Sequence, residues 1–404
     1  MALASSSLYQ LRYKPEAVFG LPVTATKCYA LRNTGESLKY SQSTEKSNEI
    51  RSDRQRTDSI ITDASMAGGV NVELSYGEYD PLFEATLQGT WTVFGTNGVS
   101  AVIPTSATFA AGTLTAGAAT SGINIFTNLV AGQWVKISGS TIPGQNIIAQ
   151  VSTTIAPTAT LLTFEGTPFT GLTGNGGAAV TISASQLKNG VVQRQFTIEK
   201  YFSDISQTLT STGMTPNKLS LALENSILKG SFDFLGKTST LQAGSLLHAT
   251  VEPSTAFTVM NGVNNVSNIL EGGALLAGTF IQKFTMDLAN NLRDQKAIGN
   301  LGAVGIASGS VDLTGTLDIY FANGTLYNKF INNTASSLSF RVNDSAGNGY
   351  IITFPFVKYS DGAITAGSIN TDVMVNMTYE AMRDPVTGYT ILIDRVGAAV
   401  TPIV

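Results

Sequence analysis

Apolar and polar side chains alternate along much of the second half of the chain. In "VDLTGTLDIYF", Leu313, Leu317, Ile319 and Phe321 fall on one side of an extended backbone, with Asp312, Thr314, Thr316 and Asp318 on the other. "NKLSLALEN" separates Leu219, Leu221 and Leu223 from Lys218, Ser220 and Ala222 in the same way. "VVQRQFTIEKYF" puts Phe196 and Ile198 together, and "DVMVNMTYEAM" groups Val373, Val375, Met377 and Tyr379. Successive strand side chains point to opposite faces, so this period of two predicts antiparallel strands with one packed and one wet face. "VNVELSY" (70–76) adds a strand of this type near the start. Many such strands in one chain imply a sandwich or a barrel.

One segment breaks the pattern. In "YDPLFEATLQG", Asp80 suits an N-cap, Pro81 suits the first helical position, and Gly89 suits the stop. Leu82, Phe83, Ala85, Thr86 and Leu87 supply the apolar stripe, so a single flanking helix is predicted there.

Between about 96 and 189 charge nearly vanishes, and Gly, Ala, Thr and Ser dominate. Short strand signals recur inside this stretch: "INIFTNL", "GQWVKISG", "NIIAQVS", "ATLLTFEG" and "AAVTISAS". They predict a small all-β insert. In its second string Val135 and Ile137 share one face and Trp134 and Lys136 the other, and either face suits a core. The expected organisation is a body formed by 1–95 and 190–404, interrupted by an inserted domain at 96–189.

Charge changes the picture at one place. Charged residues make up 13% of the 404, with a net charge of -4, about half the ~25% of an average soluble domain. A surface so poor in charge suits a subunit covered by neighbours. Yet 36–58 concentrates Glu45, Lys46, Glu49, Arg51, Asp53, Arg54, Arg56 and Asp58. Such a run in isolation reads as a solvated loop; in this charge-poor chain it reads as an arm that pairs with a partner.

The chemistry of a catalyst is missing. The sole histidine, His248, lies between apolar residues and reads as a satisfied sheet residue, and Cys28 is the sole cysteine. No triad, disulfide framework or zinc site of the usual ligands follows, and no cofactor is expected. "GSFDFLGKTST" ends like a phosphate-binding loop, but five residues separate Gly230 from Gly236-Lys237 where that loop needs four. "SFDFL" also alternates as a strand does. "NDSAGNG" (Asn343 to Gly349) reads as a hairpin turn, not a calcium loop. The opening residues lack the pattern of a signal peptide, and no apolar run is long enough to cross a membrane.

Taken in order, several strings resemble the tail-tube proteins of long-tailed phages, in the variant with an inserted β-domain. They are "LRNTGESLKYSQSTEKSNEIRSDRQRTD", "GGVNVELSYGEYDPLFEATLQGTW", "GQWVKISG", "KNGVVQRQFTIEKYFSDI", "GMTPNKLSLAL", "GSFDFLGK", "NNLRDQKAIGNLGAVGIASGSVDLTGTLDIYF" and "YTILIDRV". The resemblance spans essentially the whole chain and brings no catalytic residues with it. It implies a β-sandwich with a flanking helix, whose strands join those of neighbours in a ring-spanning barrel. It further implies sixfold rings stacked into a tube, in which the 36–58 arm reaches the adjacent ring and the insert sits outside. DNA would pass through without specific binding, and the partners implied are further copies, the tape measure protein, the tail terminator and the baseplate or distal tail proteins. The implied location is the virion tail, after synthesis and assembly in the bacterial cytoplasm. Asp312, Thr314, Thr316 and Asp318 are the candidates for a lumen face. The competing readings are another phage or surface structural protein, such as a decoration protein, spike or adhesin, and more remotely a β-rich hydrolase or lectin.

Overall fold

The computed structural model describes residues 3–23, 27–93, 100–102, 106–116, 126, 128–177, 180–244, 250–276 and 280–398. His248 lies outside them. The chain is mostly strand (51%) with two short helices (5%), as an all-β reading requires. Among the described residues the strands form no closed barrel.

One leaf is built wholly from antiparallel neighbours. From its outer edge the order is Lys39–Lys46, Ser59–Glu73, Lys229–Gly236, Gln207–Leu223, Ile281–Ala289, Asp312–Tyr320, Val373–Ala381 and Gly349–Ala366. Two of these strands are long enough to serve elsewhere too. Residues 207–214 of Gln207–Leu223 pair with Phe196–Phe202 and Thr238–Ala243, and Phe196–Phe202 pairs in turn with Tyr9–Pro15. The first half of Gly349–Ala366 pairs with Ser336–Asn343 on one side and Leu392–Val396 on the other.

The predicted alternation sets the core. Leu219, Leu221, Leu313, Leu317, Ile319, Val375, Met377 and Tyr379 are all buried, as are Phe196 and Ile198. Phe321 and Val373 stay exposed because each lies at a strand end where the second layer no longer covers it. Facing layers meet through aromatic rings: Phe284 lies 4.7 Å from Phe340 across the core, and 5.7 Å from Tyr379 of its own leaf. Each such side chain contributes about 1.5–3 kcal/mol on burial.

The helix forms at Asp80–Thr86 and inserts Phe83 between Phe232 (5.6 Å) and Tyr350 (5.7 Å). Its cap differs from expectation. Tyr79 is the N-cap and Asp80 is the first helical residue. The Asp80 carboxylate instead accepts a hydrogen bond from the Tyr350 hydroxyl (2.5 Å) and an ion pair from Arg395. Gly89 ends the segment for a packing reason, since a Cβ there would lie 2.0 Å from the Lys188 carbonyl oxygen. A second helix, Thr325–Ile331, was not anticipated; the Asn323 side chain accepts from the Thr325 amide at its start (3.0 Å).

The insert carries two four-stranded sheets and its own core, which includes Phe109, Phe126, Phe164 and Phe169. Val135 and Ile137 point into that core, while Trp134 and Lys136 face outward and remain half-buried. The segment "AAVTISASQLK" is shared, however. Thr181–Ser183 pairs inside the insert, whereas Ser185–Lys188 pairs with Leu392–Val396 and Thr92–Val93 of the body. Pairing with the body therefore begins at Ser185, five residues before the expected resumption at 190.

Candidate assembly surfaces

The charged segment becomes a β-hairpin. Lys39–Lys46 pairs along Ser59–Glu73, with Glu45 opposite Ile60 and Lys46 opposite Ser59. Ser59–Glu73 has 15 residues, so at about 3.3 Å per residue it is about 50 Å long, and roughly its first third projects past the body. The turn contains Glu49, Arg51, Asp53, Arg54, Arg56 and Asp58, every one of them exposed. Arg51 pairs with Asp53 within the turn (3.3 Å), and Thr57 donates to Glu49 (3.4 Å). The side chains of Arg54, whose φ is +59°, and Arg56 have no partner among the described residues. A two-stranded ribbon with both faces in water gains little from its own packing, so its side chains are available to something else.

The wet face of the leaf is the second surface. Asp312 and Thr314 are exposed, and Thr316 and Asp318 are half-buried, all on the side opposite the core. Asn291 donates to Asp312 (2.7 Å), Asn376 donates to Asp318 (2.8 Å), and the Thr285 and Thr316 hydroxyls lie 2.8 Å apart. Register brings Asp287 opposite Thr314 and Glu380 opposite it on the other side. Glu73 and Asp233 continue the same face, against Lys218, Lys229 and Lys283. Lys218 is tied to Asp287 (3.1 Å) and Lys283 to Glu224 (2.7 Å). Acids therefore outnumber the lysines, and two of the lysines are held by carboxylates.

The third surface is the junction between insert and body. Lys136 donates to the Ala346 carbonyl oxygen (2.7 Å), and the Gly397 amide donates to Ser183 (2.9 Å). Burial holds Lys136 below its ordinary pKa. Asp394 is completely enclosed where the insert meets the body, and burial pushes its carboxyl up to about 8. Gln186 donates to one of its oxygens (3.2 Å), while the other has no partner.

Catalytic geometry does not assemble. Among the described residues no group of three potential metal ligands converges. Lys229–Gly236, the stretch that ends like a phosphate loop, is a strand within the leaf, so its amides diverge. "NDSAGNG" is a turn held by Asp344, which accepts from the amides of Ala346 (2.9 Å) and Asn348 (2.8 Å). No helix among the described residues is long and apolar enough to cross a membrane.

An all-β body with a projecting ribbon and a charged wet face has the architecture of a structural subunit. The chain belongs to the phage tail tube protein family, whose model matches residues 7–381. It is accordingly a structural tail-tube subunit and a component of the virion tail, which associates with itself and with other tail proteins. No curated protein matches it.

Proposed function

We propose that copies of this chain close into sixfold rings, that the rings stack into a hollow tube, and that the tube conducts DNA during ejection from a long-tailed phage. The observation that carries this reading is the ribbon around 39–67, whose outer part projects with every turn side chain in solvent. Such an element has a use when a neighbour covers it. Sheet edges support ring closure, because unpaired strand margins are satisfied when each copy pairs with the next and the ring leaves none over.

In this arrangement Asp312, Thr314, Thr316 and Asp318 face the lumen as part of a ring-spanning barrel. Carboxylates and hydroxyls there give DNA phosphates no electrostatic hold, whereas a lysine-lined wall would retain them. The inserted domain lies on the tube exterior, clear of the passage. Assembly takes place in the host cytoplasm, with the tape measure, terminator and distal tail proteins at the tube's axis and ends. Electron microscopy of purified, concentrated protein tests the reading. Hollow polymers with sixfold cross-sections support it; discrete monomers or trimers under all virion-like conditions refute it.

A further inference from the structure

The ribbon and a cleft of mixed lining lie at opposite ends of the same leaf. Register establishes this. Lys229 is opposite Glu73, Ala222 opposite Lys229, and Thr285 opposite Ala222. That row marks the end of Ser59–Glu73 farthest from the turn of the ribbon, and Leu223, Ile281 and Tyr320 lie beyond it. There the layers part to leave a cleft of about 360 Å³, in which Leu223, Ile281 and Tyr320 stand beside the polar Glu224, Asn225 and Gln282. A second hollow of about 190 Å³ shares Tyr320.

The two features are complementary in chemistry. At the turn Ile50 is wholly exposed (102%), an uncommon position for a large aliphatic residue amid charges. Beside the cleft, Lys283 is paired with Glu224 (2.7 Å) and lies opposite Asp318 in register. Lys229 also acts on Glu224 and lies opposite Glu73, so Glu224, Asp318 and Glu73 share two ammoniums, while the Arg54 and Arg56 side chains have no partner among the described residues.

We infer that Ile50 of one copy docks into the Leu223–Tyr320 cleft of the copy stacked on it, with Arg54 and Arg56 set against Glu224 in its lining. The inference rests on the stacked-ring reading and names the receiving surface. A buried aliphatic anchor supplies the affinity, and the rim charges supply orientation. Donor and acceptor are different surfaces at opposite ends of the subunit, so the contact is heterologous and propagates without closing on itself.

Disulfide trapping tests it in a Cys28→Ala background, with Ile50→Cys copies mixed with Tyr320→Cys copies and oxidised after assembly. The control replaces the second partner by Val386→Cys, an exposed position (89%) near the ribbon's own end of the leaf. At least tenfold more covalent dimer from the Tyr320 pair than from the control is expected. Normal polymers with equal, low cross-linking in both pairs overturn the inference and leave the stacked-ring reading standing. Absence of polymer from the unsubstituted protein overturns both. In addition, Ile50→Asp is expected to leave the unfolding temperature unchanged, to lower polymer yield at least tenfold, and to be largely rescued by Ile50→Leu. Unchanged yield from Ile50→Asp overturns the docking.

Discussion

The side chains of Gln186 and Asp394 meet at 3.2 Å in the interior, on neighbouring antiparallel strands that lie beneath the inserted domain. Gln186 satisfies one carboxylate oxygen, and the second has no donor. A carboxylate in that position is stabler protonated, so folding raises its pKa from 3.8 to about 8.

A pH dependence follows. The folded state keeps a proton that the unfolded state releases above about pH 4. Stability is therefore lost as pH rises from about 4 to about 8, by about 1.4 kcal/mol per unit at most, and levels off above the folded pKa. Asp394→Asn, which is neutral throughout, is expected to flatten this slope and to be the more stable form at pH 8. Urea titrations of both proteins at pH 5, 6.5 and 8 measure it, and parallel slopes would contradict the assignment.

The Asp80–Arg395 pair makes the opposite demand. Both groups are buried, and burial holds the Tyr350 hydroxyl that donates to Asp80 well above its ordinary pKa. Asp80→Ala leaves the Arg395 guanidinium enclosed without its counter-charge and is expected to cost about 3–5 kcal/mol. Tyr350→Phe, which removes one hydrogen bond, is expected to cost about 1–3 kcal/mol. Thermal unfolding of the two variants gives the ranking, and a smaller loss for Asp80→Ala than for Tyr350→Phe would reverse the account.

Reversing Arg51, Arg54 and Arg56 to glutamate is expected to leave the subunit's unfolding temperature within about a degree, because exposed ion pairs contribute only about 0–1 kcal/mol. Stacking is expected to weaken, most visibly at low salt where screening is least. Tube length and yield in micrographs at two ionic strengths provide the readout. Tubes of normal length and yield from the triple variant would remove these charges from the contact.

The insert is expected to be dispensable for folding of the body. Val93 lies directly opposite Ser185 in an antiparallel pair. Replacing 94–184 by Asn-Gly therefore closes an ordinary two-residue hairpin. The shortened protein should be soluble and should still form tubes, with reduced outer diameter. Insoluble product would mean that the body needs contacts such as that between Lys136 and Ala346.

Where a strand had one dry face, its sequence announced it. Leu313, Leu317 and Ile319 alternate with polar residues because one side of that strand meets the core and the other meets water. The ribbon strand Lys39–Lys46 gave no such signal, since beyond Tyr40, which packs on the core, neither face is covered and no apolar period is imposed. The passage from insert to body was hidden for a related reason. Thr181–Ser183 and Ser185–Lys188 both have strand composition, and only the identity of their hydrogen-bonding neighbours separates them. The true role of Asp80 was equally out of reach, because Tyr350 and Arg395 are 270 and 315 residues away. The charge concentration in the ribbon was visible in composition; the receiving cleft was not, because it is assembled from four separate stretches of chain.

Gln207–Leu223 and Gly349–Ala366 each belong to more than one set of strand neighbours. A load on either half of such a strand is carried to the other by covalent peptide bonds, without reliance on side-chain contacts between layers. The subunit is thus reinforced at the level of the single molecule, and shearing its layers apart would require tearing out the longest strands first.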